Sequence, residues 1–223
     1  YMSEIMNNST TLLQKEIKDI NTTKISVKGD DLTKVSLVSY SVGHFLNDLC
    51  ASFWFYYLGY YLVHIRKLPE TDSGIVVLCG QFADGLATPI VGIFTDKTET
   101  KFGKRTPWYI AGSILVVICF LLIFQDCFIC NDNTPYSFRL IYLCIFPSLF
   151  NIAWATVQVS HMSLLPSLTL NKKKKDQMTR LRNGFTFGAQ FLFLCLSLAC
   201  FYFIENGYLQ YQILTAITTF LGI

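Results

Sequence analysis

The stretch GQFADGLATPIVGIFTDKTETKFGKRTPW, Gly80 to Trp108, decides the fold class. It begins as an apolar helix that carries one carboxylate, Asp84, with Thr88 one turn later and Pro89 beside it. It leaves through Gly92, Asp96, Lys97, Gly103, Lys104 and Arg105, a hinge of glycines and charges. An ionisable side chain at bilayer depth costs about 2.5–3.5 kcal/mol on insertion scales, so such groups face a bundle interior and tend to be functional. An acid inside a span, followed by a charged hinge, is the pattern of a carrier more than of an enzyme.

Outward from this stretch the rest of the chain is organised in the same way. Hydrophobic residues make up 52% of the 223 positions, and they are blocked into long runs. A run of about 20 apolar residues crosses a bilayer core roughly 30 Å thick. Six spans are expected, at about 35–63, 73–94, 108–129, 140–165, 185–204 and 208–223. Residues 1–34 read as a polar tail without a cleavable signal, since no apolar core follows the first Met. The net charge of +3 is mild and points to no nucleic-acid partner.

The placement of the cations gives the orientation. The tail, the 96–105 turn and the 171–182 loop, with Lys172 to Lys175, Arg180 and Arg182, carry most of the Lys and Arg. The connections at 64–72, 126–139 and 205–207 carry few. These two sets alternate, as two sides of a membrane must. Basic loops stay in the cytoplasm, so a cytosolic N-terminus is expected. Asn8 and Asn21 match the glycosylation pattern, which only a lumenal tail could use. The last span reaches residue 223 without a polar flank, which reads as a truncated chain. Six of the eight cysteines fall in apolar runs, where Cys packs as a small hydrophobe. Cys127 and Cys130 form a CxxC in a loop, either as an oxidised pair or as two free thiols.

Three groups of polar residues lie inside spans. In span one, His44 and Asp48 are four apart and share a helix face. They could hold a substrate or a proton, or form an interhelical hydrogen-bond knot. In span two, Asp84 and Thr88 share a face, while Gly85 and Gly92 form a small-residue stripe suited to close helix contact. In span four, Asn151, Trp154, Gln158 and His161 step by three, four and three along one face. They could line a pathway, with Trp154 as a wall, or form a polar seam. Arg182 opens span five, either reaching the interface or turning inward to an anionic group. No catalytic triad, phosphate loop, dinucleotide fingerprint or zinc motif is present, so no enzyme, cofactor or metal is expected.

Gly92-Ile93-Phe94-Thr95-Asp96-Lys97, followed by Gly103-Lys104-Arg105, resembles the signature loop between spans two and three of the major facilitator superfamily. The extra residues Glu99 to Phe102, and Thr106-Pro107-Trp108 after them, are closer to the glycoside–pentoside–hexuronide cation symporters, typified by melibiose permease. The segments SYSVGHFLNDLCASFWF, GQFADGLATPIVG and QVSHMSLLPSL are similar to spans one, two and four of an animal branch of that group. The resemblance covers about residues 35–204.

It implies an all-α membrane protein, the N-terminal six-helix bundle of a twelve-helix carrier, built of two inverted three-helix repeats. The partners it implies are a small-molecule solute, the lipid bilayer and a missing C-terminal half. The function it implies is secondary active transport of a small polar solute by alternating access. For the animal branch this means cysteine import into lysosomes and melanosomes, with the plasma membrane as another location. Asp48, with His44, would meet substrate or a proton. Trp154 and Gln158 would line the pocket, and Arg182 would meet a carboxylate. Asp84 falls on the first acid of the group's cation pair. Thr88 stands where the second acid is expected, and Gln158 where a substrate-binding acid is expected. Both departures count against unchanged sugar–sodium symport, and leave H+ or Na+ as the coupling ion. Gly92, Asp96, Lys97, Gly103, Lys104 and Arg105 would form the gate. A sugar–cation symporter of the melibiose-permease type is the alternative substrate class. A binding or scaffold membrane protein without transport is the alternative of another kind.

Overall fold

The computed structural model describes residues 32–223 apart from 126, 128 and 132. The polar tail to residue 31, with Asn8 and Asn21, lies outside the described residues. All regular structure among the described residues is helical. Helix α1 is Lys34–Val42 and α2 is Phe45–Tyr60, continued by a π-helical turn at Tyr61–Ile65. Then come α3 (Glu70–Lys97), α4 (Thr106–Ile123), α5 (Tyr136–Met162), the short α6 (Leu165–Leu168), α7 (Lys172–Phe203) and α8 (Gly207–Gly222).

Helices α3, α4 and α7, and the stretch from Tyr136 to Leu168, are each long and apolar enough to cross a membrane. With the broken first segment and α8 they make an all-α bundle of six segments. The boundaries follow local chemistry. Pro69 and Pro135 precede α3 and α5, and Pro107 lies in the first turn of α4, positions where the missing N–H costs nothing. Asn171 and Asn206 cap α7 and α8, each side chain accepting two backbone N–H bonds.

Three expectations are corrected. Span one is two helices, broken at Gly43–His44. Span three ends at Ile123, short of residue 129; Cys127 and Cys130 beyond it are bridged. The basic run at 171–182 is the first third of α7 instead of a loop. Lys, Gln, Met, Arg and Leu are good helix formers, and Asn171 starts the helix. At 32 residues and about 1.5 Å per residue, α7 is longer than a bilayer core.

The core is aromatic. Phe53 of α2 stacks on Phe124 at 4.2 Å, and Phe120, Phe193 and Tyr211 lie within 6 Å of it. Those rings come from α4, α7 and α8, so one side chain ties four segments together. Helix α3 packs on α5, and its buried positions are Ser73, Val76, Gly80, Ala87, Val91 and Thr95. A methyl group on Gly80 would come within 2.5 Å of the Trp54 ring and 2.7 Å of the Asn151 amide, so only glycine fits there.

Candidate functional site

The break in span one organises the site. At the end of α1 the chain turns through Gly43, and the carbonyls of Tyr40 and Gly43 no longer find a full set of helical partners. A backbone polar group unsatisfied in a membrane costs several kcal/mol. Two other spans supply donors. His161 Nε2 of α5 lies 2.9 Å from the Tyr40 carbonyl, and the Tyr109 hydroxyl of α4 donates to the Gly43 carbonyl. The His161 ring stacks on Tyr40 with centroids 4.4 Å apart, and its centroid is 5.4 Å from that of His44.

One residue past the turn the polar network deepens. His44 Nδ1 is 3.0 Å from Asp48 Oδ1. Thr186 Oγ1 of α7 donates to Asp48 Oδ2 at 2.8 Å. Asn47 Nδ2 is 3.4 Å from His44 Nε2. His44, Asn47 and Asp48 are all buried. Both carboxylate oxygens of Asp48 are therefore engaged, one within span one and one across to span five. The i to i+4 geometry brings His44 and Asp48 together even though His44 caps α2 instead of lying within it.

The remaining expected residues separate into two sets. Arg182 is half-buried, with Nη1 2.8 Å from Met162 Sδ, and its charge reaches Tyr40 and His161. Its carbonyl accepts a bond from Thr186, so Arg182 sits one turn from the Asp48 contact. Trp154 and Gln158 are half-buried, with Trp154 edge-on to Phe55 at 6.4 Å. The polar face expected on α5 is thus split. Asn151 and His161 are buried against other spans, while Trp154 and Gln158 lie on the more open side.

Asp84 stands apart from this network. It is half-buried on α3, and no hydrogen bond reaches its carboxylate from the described residues. Thr88 is exposed, and its hydroxyl returns to the Asp84 carbonyl at 3.0 Å rather than to the carboxylate. The small-residue stripe of Gly85 and Gly92 meets no neighbour: a Cβ at either would find nothing within 4 Å. The expected close contact forms at Gly80 instead, because α3 turns its Gly80 face to α5 and leaves its Asp84 face uncovered. Among the described residues no three metal-ligating side chains converge.

The charged hinge is folded back on itself. Arg105 Nη2 pairs with Asp96 Oδ1 at 3.2 Å, and Arg105 Nη1 donates to the Ser163 carbonyl at the end of α5. Lys104 Nζ bonds the Asp96 carbonyl at 3.3 Å and lies 3.9 Å from Glu99. Gly103 holds φ at +91°, a conformation that glycine adopts without strain. Lys97 is exposed in the last turn of α3, a favourable place for a cation. The hinge thereby clasps the ends of spans two, three and four.

Reasoning from sequence missed Thr186 and Tyr109, which lie far from span one in the chain and in no motif. Asn47 stands out in the sequence as one of the span-one polar residues, with Ser41, His44, Asp48 and Ser52, but without a role of its own. Asn47, Gly43, Tyr109 and Ser113 are the small and polar part of a cavity of about 550 Å³ between the span-one break, α4 and the end of α8. Its other walls are aliphatic.

Known proteins of the same pattern fit this geometry. Residues 39–223 match the family described as MFS/sugar transport protein. The chain is 41% identical over 175 residues to major facilitator superfamily domain-containing protein 12 of Homo sapiens, covering 74% of this chain and 36% of that one. It is 26% identical to an uncharacterized symporter of Synechocystis (77% and 32% covered) and 26% identical to a lactose permease of Lactobacillus delbrueckii (70% and 26% covered). The chain spans about a third of the length of these relatives or less. A family match over residues 39–223, on a bundle of apolar helices with acids inside the spans, is sufficient: the chain belongs to the MFS/sugar transport family of the major facilitator superfamily.

Proposed function

We propose that this chain is the solute-binding N-terminal half of a secondary active carrier that imports cysteine into lysosome-related organelles by alternating access. The observation that carries the reading is the contrast within span two and its neighbours. Asp84 and Thr88 lie on an uncovered face of α3, while the opposite face is packed tightly through Gly80. A carboxylate kept at bilayer depth without a partner is costly, and it is suited to take a proton or cation that comes and goes. Asp84, with Thr88 one turn away, is assigned that coupling role. Asp48 and His44 would recognise the substrate amine or a proton, and Arg182 its carboxylate. Trp154 and Gln158 would line the pocket on the open side of α5. The Asp96, Lys97, Lys104 and Arg105 hinge, with Gly92 and Gly103, would gate the cytosolic end, and the N-terminus would be cytosolic.

Cysteine is chosen on the resemblance of spans one, two and four to the animal branch of the group. The second reading is sugar–cation symport, which the likeness to a lactose permease supports. Thr88 and Gln158 weigh against it, since each replaces an acid that such a symporter is expected to carry. Uptake of labelled cysteine by vesicles bearing the full-length carrier separates the two. Competition by unlabelled cysteine and none by glycosides is expected. Displacement by a glycoside, with cysteine inert, would move the assignment to sugar. A vesicle that binds cysteine but never accumulates it would favour a binding protein without transport.

A further inference from the structure

The span-one network contains one buried polar atom without a partner, the amide oxygen of Asn47. Asn47 places its amide nitrogen 3.4 Å from His44 Nε2, while its carbonyl Oδ1 is buried and has no partner. An amide donor facing Nε2 requires that ring nitrogen to be bare. The His44 proton then resides on Nδ1, directed at Asp48 Oδ1, and the ring is neutral. A half-turn of the Asn47 amide exchanges its two ends. Oδ1 would then face Nε2 and could accept a second imidazole proton, with the Asp48 carboxylate still holding the first. One amide rotation converts a pocket for neutral His44 into a pocket for the imidazolium.

We propose that His44, Asn47 and Asp48 form a proton-binding site in this carrier, with the Asn47 amide turning over to follow the charge on His44. The site is distinct from Asp84. It goes beyond the transport reading above by naming the proton as its ligand and Asn47 as the residue that selects its state. Thr186 contributes by holding the second oxygen of Asp48 at 2.8 Å, so the carboxylate stays in place when the imidazole changes state.

The surroundings are consistent with this role. The titratable and charged groups about His44 are Asp48 on its own helix, Tyr40 on α1, Tyr109 on α4, His161 on α5 and Arg182 on α7. Only Asp48 is an anion. Arg182 is one turn from Thr186, which bonds Asp48, and His161 is committed through Nε2 to the Tyr40 carbonyl, with Nδ1 buried and without a partner. Of the two buried imidazoles, His44 alone has a carboxylate on one nitrogen and a reversible amide on the other. Asn47 also lines the 550 Å³ cavity beside the break in span one.

Selective ¹⁵N-histidine labelling of the full-length carrier in detergent or nanodiscs, with the His44 and His161 signals assigned by substitution, supplies the readout. A pH titration by NMR distinguishes the two neutral tautomers from the imidazolium. The expected result is that His44 passes from the Nδ1–H tautomer to the imidazolium as pH falls, while His161 keeps its Nε2–H tautomer. Asn47→Leu removes the acceptor that the second proton would use. The ratio of imidazolium to neutral His44 at a given pH should drop about tenfold, the effect of one hydrogen bond of roughly 1.4 kcal/mol. Asn47→Asp keeps an acceptor there and should raise that ratio. An unchanged His161 tautomer in each variant reports that the break in span one is still folded. A His44 that stays neutral from pH 8 to pH 4, or a ratio that neither variant moves, overturns the proposal. The readout needs no solute, so failure of cysteine uptake would leave this site standing, and failure here would leave the transport reading standing.

Discussion

Asp48 and Asp84 are both carboxylates inside apolar spans, and the fold treats them in opposite ways. Asp48 is buried, with His44 on one oxygen and Thr186 on the other. Asp84 is half-buried on a face of α3 that meets no helix, and no hydrogen bond reaches it from the described residues. A buried charge is tolerated where partners satisfy it. Asp48 meets that condition within the bundle and so fixes span one to span five. Asp84 does not meet it from the described residues. Two acids that look alike in sequence thus separate into one bonded at both oxygens inside the bundle and one without a hydrogen bond from the described residues.

Substitutions test that contrast. The largest expected effect is at Asp48. Asp48→Ala leaves His44 and Thr186 without their shared acceptor, and should lower stability by about 3–5 kcal/mol, the range for breaking a buried pair. The same change at Asp84 should stay within about 0.5 kcal/mol. Unfolding in detergent compares the two, and equal losses would erase the distinction. Thr186→Val removes one hydrogen bond to a charged group and should cost about 1.5–3 kcal/mol. A loss below that range would mean that Asp48 is not anchored to span five.

The two faces of α3 offer a second comparison. Gly80→Ala drives a methyl group into Trp54 and Asn151 and should destabilise by about 1–3 kcal/mol, as overpacking does. Gly85→Ala and Gly92→Ala enter open space and should stabilise the helix by about 0.5–1 kcal/mol. If all three behave alike, the packing face has been misassigned. A small effect is expected at the hinge as well. The Asp96–Arg105 pair is largely exposed at the acid, so Asp96→Asn should change stability by less than about 1 kcal/mol.

Much of this was legible in the chain itself. The apolar runs announce six segments, and the spacing of His44 and Asp48 announces their contact, because a four-residue step is one helical turn. The break at Gly43 was not legible: a lone glycine inside an apolar run is compatible with an unbroken helix. The donors that make the break tolerable, Tyr109 and His161, belong to other spans, and nothing in their own neighbourhoods marks them. Thr186 is hidden for the same reason. The stripe of Gly85 and Gly92 misled because spacing shows that a helix could be approached closely, but not on which side. Gly80 carries that contact, and only the placement of Trp54 and Asn151 reveals it. The lysine run misled in another way: charge places a segment at the membrane surface without preventing it from being helical.

The most direct test of the account is proton-gradient-driven uptake of labelled cysteine by vesicles bearing the full-length carrier, with and without Asp84→Asn. The account predicts that the variant is folded and as stable as the parent yet fails to accumulate cysteine under the gradient. Accumulation at the parental level in the Asp84→Asn variant would contradict it.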